Sequence, residues 1–219
     1  MCSHYQGVRE RERFYKQFGV YPPEEAGRVE LWPGYSGLML RLAPGAGKAA
    51  GIEALTGVFG LLPHWARDRK LARSTYNARS ETVHEKPSFR DAWSKRQHCV
   101  VPADAFFEPD WRSGKAVPTR IARADGEPMG LAGLWSQWKE PAGSLVCSYT
   151  LLTINADAHP LLRCFHRPGE ERRMVVVLPQ GAYLDWLQAS VQDRMAFLQP
   201  LPAELLQAGV NDRVARHGA

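Results

Sequence analysis

The stretch HCVVPADAFFE, residues 98–108, decides how the fold is read. β-Branched and aromatic residues gathered in a short run and punctuated by Pro and Asp form strands rather than helices. The same signature recurs in GLMLRLAP (37–44), LTGVFGLLP (55–63), VPTRIAR (117–123), MGLAGLW (129–135), LVCSYTLLT (145–153) and RMVVVLP (173–179). Short strands separated by turn residues predict a β-rich fold built on a closed or strongly curved sheet. Helices are expected at three places. Val8, Phe14, Tyr15 and Phe18 fall near helical spacing over 8–18, ending at Gly19 and YPPEE. The others lie in 80–96, with a break at Pro87, and in 179–188. APGAGKAAG (43–51) reads as a hairpin or loop and lacks the Gly-Lys-Ser/Thr of a phosphate-binding P-loop. No stretch has linker composition, so one domain over residues 1–219 is expected.

The 219 residues suffice to bury a core. Hydrophobic content of 44% and charged content of 23% are those of an ordinary soluble protein. No run of 18 apolar residues exists, and YQGVRERERFYKQ near the start lacks the apolar segment of a secretory signal, so a cytoplasmic protein with no membrane partner is expected. A monomer is the default. Four cysteines (Cys2, Cys99, Cys147, Cys164) without a CxxC pair make no disulfide framework, and no Cys/His spacing matches a zinc site, so no metal is expected. The net charge is +5, and 21 of the 28 basic residues are arginine. Arginine suits bidentate phosphate contacts and stacking on bases, although GC-rich coding yields the same excess.

Cys2 draws attention because methionine aminopeptidase removes Met1 when the second side chain is small. The chain would then begin with a 1,2-aminothiol, its amine pKa about 7.7–8.0 and its thiol about 8.5. Such a group condenses with an aldehyde. The amine forms an imine, and the tethered thiol closes a five-membered thiazolidine at high effective concentration. Three further segments hold polar groups in places a strand or turn makes rigid. In TYNARSET (75–82), Asn77 and Arg79 alternate onto one face, and Ser80 is a plausible helix N-cap; Asn77 is either a turn residue or a functional amide. Glu108 follows two phenylalanines, with Pro109 expected to stop the strand. Its carboxyl is either exposed at a strand end or desolvated with a raised pKa, as a general acid requires. In LLTINADAHPLLRCFHRPGEERRMVVVLP (151–179), His159 suits a turn, and His166 sits at a segment junction as a packing residue or a proton shuttle.

Taken in order, the initial Met-Cys, GLLPHW (60–65), NARSET (77–82), VPADAFFE (101–108) and LLTINAD…H (151–166) resemble the SOS response-associated peptidase (SRAP) family nearly end to end. The resemblance implies a single α+β domain in which curved antiparallel sheets form a barrel-like core flanked by helices. It also implies recognition of abasic sites in single-stranded DNA and their capture as a DNA–protein crosslink, with no cofactor. In that reading Cys2 attacks the ring-opened sugar, Asn77 holds the amine or adduct, Glu108 assists ring opening, and His166 exchanges protons with the same oxygen. Arg79 grips a phosphate, Trp65 stacks on bases or sugar, and Arg167 or Arg173 takes the place of an arginine that follows the histidine. The chain departs from the family at Ser3-His4, where Gly-Arg is common, and around Trp32-Pro33-Gly34, which lacks an Asn-x-x-Pro pattern. Two other classes remain open: an N-terminal-nucleophile cysteine peptidase or amidase, and a non-catalytic single-strand-binding module.

Overall fold

The stretch 98–108 is two strands belonging to two different sheets. In the computed structural model, which describes residues 2–25, 27–45 and 51–210, β6 (His98–Ala103) and β7 (Ala105–Asp110) are separated by Asp104 alone. At that bend the Asp104 N–H donates to Gln6 O at 2.7 Å, and the Arg13 guanidinium holds the Asp104 carboxylate.

On one side of the bend lies a closed barrel. Its strands β3 (Ser36–Leu42), β4 (Ile52–Phe59), β6, β9 (Met129–Lys139) and β10 (Leu145–Asn155) pair in the ring β10-β4-β3-β6-β9-β10. Closure removes the free edges that an open sheet exposes. The ring is antiparallel except where β10 meets β4, and β5 (Asn77–Arg79) also lies parallel to β10. β11 (Arg173–Val175) and β12 (Val177–Leu178) add to β10 and β9. On the other side is an antiparallel sheet in the order β13-β8-β7-β1-β2. It comprises β1 (His4–Gln6), β2 (Glu30–Leu31), β7, β8 (Val117–Arg123) and β13 (Leu206–Val210). One apolar core joins the two, with Tyr5, Phe106 and Ile121 from the sheet and Leu40, Val100, Leu131 and Leu151 from the barrel.

The helices are short. α1 (Arg11–Phe18) buries Phe14 and Phe18 and ends at Gly19, whose φ of 72° lets its N–H cap Tyr15 O. α3 (Tyr183–Gln188) packs Trp186 beneath β6, with its indole N–H donating to Cys99 O at 2.9 Å. The helix expected over 80–96 is present only as α2 (Arg90–Ser94). Ser80 is no N-cap: its N–H donates to Thr153 O at 2.9 Å, extending the β5–β10 pairing, and turns carry the chain onward. Pro109 does not stop its strand either. β7 runs to Asp110 because Pro109 lies opposite Pro118, a position where neither strand needs an N–H. The loop expected at 43–51 falls partly on residues 46–50, outside the described residues. Among the described residues no helix is long and apolar enough to cross a membrane.

Gly60 follows β4, and its N–H donates to Tyr149 O of β10 at 2.8 Å. Its φ is 119°, and a Cβ there would lie 2.1 Å from Ala72 O. Gly60→Ala is expected to destabilise the protein by about 3 kcal/mol through this strain and clash. Calorimetry should show Tm falling by roughly 6–12 °C; an unchanged Tm would contradict the close approach of these two backbones.

Candidate active site

Four distant parts of the chain converge where β1 and β7 meet β5, the strand paired alongside β10 of the barrel. Cys2, just before β1, is 1% exposed, and its thiol donates to His4 O at 3.3 Å. Burial pushes that thiol up to about 12, and the neighbouring Glu108 carboxyl adds to the effect. Asn77 opens β5, and the parallel pairing Asn77↔Leu151 and Arg79↔Thr153 sets its direction. Its side-chain NH₂ donates to Cys2 O at 2.8 Å, while its Oδ1 is buried without a partner among the described residues.

Glu108 lies inside β7 on the same face as Phe106, because strand side chains alternate. That face is the core, and Glu108 is 1% exposed. Burial pushes its carboxyl up to about 7, against the pull of the positive charge at the chain's amino terminus. Of the two alternatives open from sequence, the desolvated carboxyl is the one observed. His166 follows a 3₁₀ turn at Leu162–Cys164, and its Nε2 lies 4.0 Å from a Glu108 oxygen. The same Nε2 accepts the Arg173 backbone N–H at 3.0 Å, which assigns the ring proton to Nδ1. Burial lowers this imidazole to about 4, so the ring is neutral at physiological pH.

The arginines expected to bind DNA occupy different situations. Arg173 is 2% exposed, and its guanidinium is held by both Glu81 oxygens (2.9 and 2.8 Å), Glu171 (2.9 Å) and Thr153 O (2.6 Å). It is spent inside the protein, where it locks the segment carrying His166 onto β10. Arg79 is exposed and pairs with Glu171 at 2.8 Å. Arg167 is exposed and lies over the Trp111 ring at 5.6 Å. Trp65 is exposed. The segment bearing it is held by a small second cluster around Trp138, whose indole N–H donates to Ala66 O at 2.7 Å. Among the described residues Trp65 shares no hydrogen bond, ion pair or ring contact with the Cys2 group. His159 is the turn residue it was expected to be: its Nδ1 accepts the Leu162 N–H at 2.9 Å.

Sequence reading missed several neighbours. Trp111, Arg112, Arg163 and Arg172 line a cleft of about 480 Å³ that opens against His166. Arg112 and Arg172 are paired with Asp110 and Asp157, whereas Arg163 makes no ion pair among the described residues. The arginine excess was the available signal, but nothing local told which arginines border the site. Tyr76, beside Asn77, lies close enough to Cys2 and Glu108 that both, after burial, push its hydroxyl pKa upward. Among the described residues no three His, Cys, Asp or Glu side chains gather as metal ligands. Chemically, the site offers a small nucleophile, an amide, an acid that titrates near neutrality and a neutral imidazole, with Cys2 and Glu108 buried, Asn77 half-buried and His166 bordering the cleft.

Comparison with known proteins gives this arrangement a context. The chain is 33% identical over 154 residues to the abasic site processing protein YoqW of Bacillus subtilis, covering 68% of this chain and 65% of that one. It is 25% identical over 178 residues to the abasic site processing protein HMCES of Rattus norvegicus, covering 65% of this chain but 48% of the relative. A solved structure from Bordetella bronchiseptica superposes with a TM-score of 0.86 at 50% identity, over 95% of this chain and 98% of the other. One from Bacteroides thetaiotaomicron, with a TM-score of 0.78 at 21% identity over 98% and 94%, shares the fold. The family model described as SOS response associated peptidase (SRAP) matches residues 1–217, and the chain belongs to that family.

Proposed function

We propose that the protein captures abasic sites in single-stranded DNA as a covalent thiazolidine on Cys2, after loss of Met1, a residue outside those described. The observation that carries this reading is the convergence of Cys2, Asn77, Glu108 and His166 at the inner end of the cleft.

The chemistry follows from the states of these groups. A thiol pushed to about 12 is protonated at neutral pH, so the amine makes the first attack. The Cys2 amine adds to the open-chain aldehyde of the abasic sugar to give a carbinolamine, which loses water to form an iminium. The thiol sulfur then adds to the iminium carbon. Its proton passes to solvent through the adjacent carboxylate, leaving a neutral ring. The net change is aldehyde plus aminothiol giving thiazolidine plus one water. Asn77 Oδ1, unpartnered beside the backbone of residue 2, accepts an N–H of the attacking amine. Glu108, near pKa 7, donates a proton to the sugar ring oxygen as it opens and to the departing hydroxyl. His166 is the second group at that oxygen: its Nε2, 4.0 Å from the Glu108 carboxyl, takes a proton once the Arg173 N–H that it accepts is released.

Arg163 lines the cleft, and it and the exposed Arg79 and Arg167 serve as phosphate contacts, with the exposed Trp65 as a stacking side chain. Arg173 reaches DNA only if Glu81 and Glu171 release it, so its role is to hold His166 in place. The protonated thiol counts against the peptidase alternative, in which a thiolate must attack an acyl carbon.

The test is incubation with a single-stranded oligonucleotide bearing one abasic site, followed by a denaturing gel and intact mass analysis. A slow band is expected, with a mass equal to protein without Met1 plus DNA minus one water. Peptide hydrolysis without such an adduct, or salt-sensitive DNA binding without one, would overturn the proposal.

A further inference from the structure

The departure at Ser3-His4 has a structural counterpart that the chemistry above does not use. The His4 ring is sandwiched between two aromatic rings. Phe107 lies 4.2 Å away on one side at an interplanar angle of 11°, and Trp32 lies 4.2 Å away on the other at 6°. The column is rigid for clear reasons. The β1–β7 register places His4 directly opposite Phe107, so their side chains share a face. His4 Nε2 lies 2.6 Å from Glu30 Oε2, and Glu30 also accepts from Gln6 at 3.2 Å, which fixes the imidazole in its plane. The Tyr35 N–H donates to Trp32 O at 2.9 Å, closing the turn that carries the indole.

The two inner members are buried, His4 at 9% and Phe107 at 6% exposure, while Trp32 is 45% exposed. His4 covers one indole face, and the other has no ring partner among the described residues. The column rises from the same two strands as the reacting groups. His4 is two residues from Cys2, and its backbone carbonyl accepts the hydrogen bond of the Cys2 thiol; Phe107 precedes Glu108 and, by strand alternation, lies on the opposite face of β7 from it. Two residues of extended chain span about 7 Å, so the platform stands beside the nucleophile rather than over it.

We propose that Trp32 is a base-stacking platform for the nucleotide next to the abasic residue, and that His4 is the residue that positions it. The inference rests on the reading of the site as an abasic-site trap. The lesion itself has no base to stack, so any stacking energy must come from a neighbour, and an aromatic face accepts every base alike. A flat indole backed by two further rings loses little freedom when a base lands on it. Where family members commonly carry an arginine suited to a phosphate, this chain places a ring that supports another ring.

The test uses single-stranded oligonucleotides with one abasic site and either normal bases on both sides or a baseless tetrahydrofuran residue on the 5′ or the 3′ side. Initial crosslinking rates are measured at subsaturating protein. Trp32→Ala and His4→Ala are expected to slow the fully based substrate about tenfold. On one of the two tetrahydrofuran-flanked substrates, wild type should itself be slow and the variants should add no further loss. His4→Phe, which keeps the column, should restore the rate. Equal loss on all three substrates, or no loss on any, would overturn the proposal. His4 is buried and its alanine variant is open to misfolding, so Trp32→Ala, at an exposed position, decides the outcome.

A separate arm keeps this inference distinct from the proposed reaction. Anisotropy binding to oligonucleotides in which tetrahydrofuran replaces the abasic aldehyde needs no crosslink. If wild type forms no adduct but Trp32→Ala still weakens this binding only when the flanking base is present, the trap fails and the platform stands. If adducts form normally and Trp32→Ala binds every oligonucleotide as wild type does, the platform fails and the trap stands.

Discussion

Cys2→Ala is expected to leave no DNA adduct that survives denaturation, a loss of about a hundredfold or more in crosslink yield. Alanine at position 2 is also small enough for Met1 removal, so the mature variant retains its amine and still condenses with the sugar aldehyde. It then stops at an imine, which water reverses. The thiol makes the difference because it is tethered two bonds from the imine nitrogen's own carbon and closes the ring without a second collision. Borohydride should therefore trap an adduct with Cys2→Ala that does not persist without reduction. Wild-type adduct should persist in either condition. A stable adduct from Cys2→Ala at wild-type yield would eliminate the thiazolidine mechanism.

Glu108→Gln should lower the initial crosslinking rate by about a hundredfold and change the shape of its pH dependence. The raised carboxyl, near 7, is protonated and able to act as an acid below that pH, so the wild-type rate should fall as pH rises above it. Deprotonation of the amine, about 7.7–8.0 when unperturbed, works in the opposite sense. Wild type should thus show a maximum, and Glu108→Gln a rate that climbs with pH to a plateau. His166, lowered to about 4, stays neutral across this range and cannot supply the descending limb. Stability supplies a control. A carboxyl raised by folding favours the folded state below its unfolded pKa of about 4.3, and that stability is lost as pH rises through about 7. Glutamine carries no such penalty, so at pH 8 the variant should unfold at least as late as wild type. A descending limb that survives in Glu108→Gln would move the acid to another residue.

Much of the secondary structure was local enough to read. Each apolar run from 37–44 to 173–179 contains a strand, because alternation or a β-branched run bounded by turn residues needs no distant partner. Phe14 and Phe18 mark the inner face of α1 for the same reason. The failures were places where a distant strand overrode a local signal. Ser80 looked like a helix cap until Thr153 claimed its N–H. Pro109 looked like a terminator until Pro118 was found opposite it. β1 and β2 are three and two residues long and carry no period of their own, yet β1 bears the residues that follow the nucleophile.

The site divides in the same way. Residue types and their order along the chain picked out Cys2, Asn77, Glu108 and His166, and the family those motifs resemble is the one the whole chain matches. An oddly placed charge such as Glu108 is visible in sequence because it interrupts an apolar run. The meaning of that charge is not visible, because its pKa depends on how much protein surrounds it, and that is set by β1 and β8 flanking β7 and by the segment that brings His166 against it. Arg173 looked equal to Arg167 as a DNA contact; two glutamates from separate loops bury one and leave the other in solvent. The sequence by itself determined which chemical groups the protein carries and the local shape of the segments holding them, since both depend on neighbours within a few residues. Tertiary structure alone decided which of those groups meet, which are desolvated, and that His4 braces Trp32, since each depends on strand pairings between distant parts of the chain.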